Sequence, residues 1–149
     1  MNPVSSKLIP VRYIADLSWQ LIFLIAAVVL GYFFGWGWYV AAAVCAIGFG
    51  FLLWLIPAQV KHMGWLETDD ELLITRGKIW HTFTVVPYGR IQFVDVSSGP
   101  LTRMFGLKTV KLHTASASTD ASISGLLAED ADALRERLAE QARERMSGL

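Results

Sequence analysis

The chain has 149 residues; 54% are hydrophobic, only 17% are charged, and 13 basic side chains balance 13 acidic ones. A mean hydropathy of +0.43 excludes an ordinary soluble domain and points to a membrane class. The charge balance argues against nucleic-acid binding through a basic surface, and the single cysteine, Cys45, excludes an intrachain disulfide framework and suits a reducing compartment.

Residues 1–16 form a short polar head, expected in the cytoplasm. From Leu17 to Val60, 44 residues contain no Asp, Glu, Lys or Arg. One helix crosses a hydrocarbon layer with about 20 residues, so the block is long enough for two spans, assigned to residues 17–57. The break falls at "GYFFGWGWY", residues 31–39, where glycines and interfacial aromatics suit a turn. The spans are expected near Leu17–Phe34 and Tyr39–Ile56, with Pro57 closing the second helix. A cleaved signal peptide fits poorly, because a second apolar segment follows at once. Lys7 and Arg12 precede the block, and Lys61, Arg76 and Lys78 follow it, while the turn carries no base. The positive-inside rule then places both termini in the cytoplasm. Gly31 and Gly35 form a G-x-x-x-G pair, a candidate face for packing another helix, although the favoured reading is that they simply form the turn.

Beyond Lys61 the apolar period changes from helical to alternating. Turn signals at Asp69-Asp70, Arg76-Gly77-Lys78 and Pro87-Tyr88-Gly89 separate short apolar runs, as in an antiparallel sheet or barrel. Strands are predicted near 63–68, 71–76, 79–86, 91–97, 107–114 and 121–125. Trp65, Trp80, Phe83 and Phe93 fall at strand periods and are expected in the core. The segment "GPLTRMFG" interrupts the strands with one helical turn. Its residues Pro100, Leu101, Met104 and Phe105 are read as a plug over one mouth of a barrel, or as an interaction surface. The last element, residues 128–146, is an amphipathic helix with Ala131, Leu134, Leu138, Ala142 and Met146 as its apolar stripe. The polar part, residues 61–149, carries 11 basic and 12 acidic side chains.

The wording "VPYGRIQFVDVSSGPLTRMFGLKTVKLHT", followed by "ISGL" and "DADALRERL", resembles the bacterial pleckstrin-homology (PH) domain family of YdbS-like membrane proteins. The resemblance spans roughly residues 15–146. It implies a membrane-anchored α+β fold: a transmembrane helical hairpin, then a PH-like antiparallel β-barrel capped by a C-terminal α-helix. It also implies association with a larger paralogue bearing several PH-like domains. Some members are linked to tolerance of antimicrobial compounds, and small bacterial PH-like domains form rings.

If strands run up and down from the membrane, Lys61, Arg76, Lys78, Arg103 and Lys108 gather at the near end, and Glu67, Asp69, Asp70, Glu71 and Asp120 at the far end. That predicts a basic pole facing anionic headgroups. Lipid-binding PH domains use bases in the first strand-to-strand loop, but here that loop is Glu67-Thr68-Asp69-Asp70-Glu71, which repels phosphate. Specific phosphoinositide binding is therefore not expected. No catalytic, cofactor or metal constellation stands out: His62, His81 and His113 are isolated in sequence, Asp95 has no evident carboxylate mate, and the serine clusters lack a nucleophile context. The sequence is thus read as a non-enzymatic interaction or scaffold module, without cofactor, in the plasma membrane of a bacterium. Its expected partners are the lipid bilayer and either a second copy or a larger PH-domain membrane paralogue. The alternatives are an accessory subunit of a transport or antimicrobial-tolerance complex, or a peripheral anionic-lipid sensor.

Overall fold

Eleven helices and strands can be followed along residues 1–148, the part of the chain that the computed structural model describes. They divide into two compact units: Ile9–Ala58 is one, and Met1–Leu8 together with the chain from Gln59 onward is the other.

The first unit is a helical hairpin. Helix α1 runs Leu8–Phe34 and α2 runs Gly37–Lys61, each long and apolar enough to cross a membrane. Most of their large side chains, among them Trp19, Phe23, Phe33, Val44 and Trp54, are exposed, as suits helices solvated by lipid. Both helices outrun the expected spans at their polar ends. Pro10 sits in the first turn of α1, where its missing N–H is not needed. The Arg12 guanidinium lies 3.9 Å from the Asp16 carboxylate one turn on. Pro57 does not close α2 but lies inside it; a membrane helix tolerates the lost backbone bond where neighbouring groups compensate. The turn is made by Gly35, whose φ of +115° lies in the region favoured by glycine.

The second unit is PH-like. Strands β1 (Asn2–Pro3), β2 (Gly64–Glu67), β3 (Glu71–Arg76) and β4 (Thr82–Pro87) form one antiparallel sheet in that order. Strands β5 (Ile91–Ser97), β6 (Leu107–Thr114) and β7 (Ala121–Leu127) form the second. The one-turn helix α3 (Pro100–Met104) joins β5 to β6, and helix α4 (Ala128–Ser147) follows β7. The ladders make two sheets rather than one continuous closed barrel. Leu72, Ile74 and Val86 from the first sheet, Ile91, Val110, Leu112, Ile123 and Leu126 from the second, and Ala131, Leu134, Leu138 and Ala142 from α4 build the core. The stripe ends at Ala142, since Met146 is exposed. Helix α4 packs on β5, β6 and the 3-10 turn at Tyr88–Arg90.

The head does not stand apart from this domain, as a division at residue 16 implies. Asn2 pairs with Trp65 and Pro3 with Gly64, so the first residues add a strand to the edge of the first sheet. The Ser5 N–H then donates to the Gly125 carbonyl of β7 at 2.8 Å. The N-terminus thereby staples the two sheets together along one seam. Gly125 makes this possible: its φ is +77°, and a Cβ there would stand 2.7 Å from the Leu8 side chain.

Three of the four aromatics expected in the core are outside it. Trp65 is buried, but Trp80, Phe83 and Phe93 are exposed. β4 begins at Thr82, not 79, so Trp80 belongs to a turn. Phe83 pairs with Thr75 on the outward side of the ladder, whereas Val86 opposite Leu72 faces in. Phe93 would share a side with buried Ile91, but a bulge between them turns it outward.

Candidate functional site

The outer face of the first sheet breaks the usual rule that a sheet packed on one side is polar on the other. Leu66 of β2 lies opposite Leu73 of β3, which lies opposite Val85 of β4. These three make an apolar row across the sheet. Gly64, Thr75 and Phe83 form the next outward row. Leu66 and Leu73 are half-buried, while Val85 is 41% and Phe83 57% exposed. β4 is also an edge strand, paired only with β3 among the described strands. Parity alone locates such a face in a sequence once the register is known; here the register depends on where β4 begins.

The five bases predicted to form one pole do not act as one. Arg76, at the end of β3, turns in and donates to the backbone carbonyl and hydroxyl of Ser122, the hydroxyl at 2.7 Å. Burial lowers its pKa below the usual guanidinium value. Lys108 holds the Asp132 carboxylate of α4 at 3.1 Å. Lys61 and Arg103 are exposed, and Lys78 is half-buried. The segregation of charge also fails. Asp120, assigned to the far end, lines the same small recess as Arg76, assigned to the near end. Up-and-down alternation holds within one sheet but does not carry across to the second.

The acidic loop is held by α4. Arg137 binds the Glu67 carboxylate with Nε and Nη2, at 3.0–3.2 Å. Arg145 donates to the Asp69 carbonyl at 2.8 Å and to the Asp70 carboxylate. The Tyr88 hydroxyl donates to the Thr68 carbonyl at 2.8 Å, anchoring the same loop from below. Burial, and then the Glu67 charge, raise the Tyr88 pKa above its ordinary value.

In α3 and the residue after it, Leu101 and Phe105 are half-buried, Pro100 is exposed and Met104 is 79% exposed. A plug using all three large apolar side chains is therefore corrected: Met104 stands in solvent, and only Leu101 and Phe105 are partly covered. The segment's tie to the core is the Gly106 carbonyl, which accepts the Ala128 N–H at 3.0 Å at the start of α4. Gly31 and Gly35 do not share a helix face either. Gly35 is the turn, and a Cβ on Gly31 would meet the Tyr39 ring at 3.2 Å.

His113 is not isolated. Its Nε2 lies 3.3 Å from Asp95 and its Nδ1 3.3 Å from Asp120, and Phe93 stacks on the ring at 4.3 Å. Asp95 and Asp120 are 25 positions apart, so only the β5–β6 ladder and the loop before β7 bring both to one imidazole. Likewise, the His62 and His81 rings lie 6.1 Å apart.

The Bacterial PH domain family model matches residues 11–142, nearly the whole chain. UPF0699 transmembrane protein YdbS of Bacillus subtilis (strain 168) is 37% identical over 128 residues, which cover 83% of this chain and 79% of that relative. No solved structure matches.

Proposed function

This chain belongs to the bacterial PH-domain family and is similar over most of its length to a transmembrane member, and from that premise we propose a membrane-anchored, non-enzymatic interaction module. It assembles through the outer face of its first sheet with a second copy or with a related PH-domain membrane protein. The observation that carries this reading is the apolar row Leu66–Leu73–Val85, with Phe83 beside Val85, on the outward face of a sheet that ends in the edge strand β4. An exposed apolar edge invites pairing and is normally blunted by charge; here Thr82–Pro87 carries none. The phosphate-binding use of a PH fold has no support in the first loop, which carries four carboxylates, two of them, Glu67 and Asp70, paired with arginines of α4.

The anchor supports a hairpin topology. Residues before α1 and after α2 share one folded unit, so both belong on the same side of the bilayer. The flanking bases favour the cytoplasmic side of a bacterial plasma membrane. An accessory role beside a larger multi-domain paralogue uses the same surface.

The test is native mass measurement of the intact protein in lipid nanodiscs, with F83S/V85S compared with wild type. Wild type should carry at least two copies, or one copy plus a larger PH-domain membrane protein. The double variant should weaken that association at least about tenfold, the loss typical of a central apolar contact. A wild type that stays single and unaccompanied at every loading would remove the reading.

A further inference from the structure

The turn between β3 and β4 carries an apolar tip that the sheet-face reading does not use. Gly77 adopts a φ of +88°, and any side chain there would collide with the Trp80 carbonyl oxygen, so the turn is tight and set by its glycine. It presents Ile79 and Trp80 at its tip, 59% and 85% exposed. Trp80 makes this costly in water: a bare indole is the largest apolar surface a residue offers. Within the same unit the turn lies beside the end of a membrane-spanning element. The His81 ring, next to Trp80, lies 6.1 Å from the His62 ring, and His62 directly follows Lys61, the last residue of α2. Lys78 directly precedes Ile79 and Lys61 directly precedes His62, so each of the two neighbouring segments carries one base, as suits an anionic leaflet.

We propose that Ile79 and Trp80 form a second membrane contact, a wedge that enters the headgroup–acyl boundary of the leaflet at which α2 ends. Trp prefers that boundary because its ring is apolar and its N–H is polar. The wedge makes a second tether for a domain otherwise joined to lipid by the hairpin alone. It differs from recognition by a basic pole, since its main contribution is apolar and survives high salt. It also stands apart from assembly through Phe83 and Val85, which project from the strand and not from the turn.

The test uses the full chain in vesicles of phosphatidylcholine and phosphatidylglycerol. An environment-sensitive fluorophore is placed at position 80 or 79 (W80C or I79C in a C45A background), with S118C as the control in the exposed β6–β7 loop. At 79 and 80, but not 118, emission should shift to the blue, and nitroxide lipids labelled near the headgroup should quench it at least about twofold. As a second arm without a label, the emission lost between wild type and W80F should be quenched by brominated lipid. A water-like, unquenched label at 79 and 80 would overturn the wedge. So would a blue-shifted label that lipid quenchers cannot reach, which would place the tip against protein instead.

Discussion

Tyr88 shows how one side chain ties a loop to a core. Its ring is buried, and its hydroxyl reaches the Thr68 carbonyl between the acidic residues of the first loop. Y88F leaves that carbonyl without its donor, so it should cost about 1 kcal/mol at neutral pH. The pH dependence has a definite sign. Because the folded phenol holds its proton above the unfolded value of about 10, the stabilisation is complete below that pH. It is lost as pH rises above it, where the unfolded chain releases the proton first. Urea midpoints in detergent should therefore fall more steeply above pH 10 for wild type than for Y88F; parallel curves would contradict the assignment. Single residues also limited what was legible. Nothing local distinguishes the inward Trp65 from the outward Phe93, because a bulge two residues upstream decides the second.

At the scale of elements, α4 and the N-terminal staple hold the two sheets. α4 contributes apolar burial and three ion-paired contacts: Asp132 with Lys108, Arg137 with Glu67 and Arg145 with Asp70. The pairs are exposed and contribute about 1 kcal/mol or less each, so the buried leucines dominate. L138A should cost about 2–5 kcal/mol and raise amide exchange in β5 and β6, whereas E67Q should change little. Deleting residues 1–6 removes the β1 ladder and the Ser5–Gly125 bond, and should speed exchange in β2 and β7 while leaving β3–β4 protected. Uniform exchange in both sheets would show that the N-terminus does not close the seam. Periodicity placed β3, β5, β6 and α4 well, since their alternation or stripe is long. β1 is invisible to periodicity, because two residues carry no period and their partners lie more than sixty positions away.

For the whole molecule, the shared unit built by both flanks of the hairpin makes the two ends inseparable in topology. With Cys45 replaced, a membrane-impermeant thiol reagent added to intact cells should label W36C in the turn and spare both S6C and S118C. Labelling of S6C with sparing of S118C would break the hairpin. By itself, the sequence determined two apolar spans, a strand-rich polar domain and a closing helix, because hydropathy and periodicity are local properties written in consecutive residues. Only the tertiary structure decided that the first residues belong to the far domain, that α4 pairs with Glu67 and Asp70 of the acidic loop, and that apolar side chains line the outside of a sheet. Those outcomes depend on register and on which distant segments meet, and a one-residue shift in register reverses which face a side chain occupies.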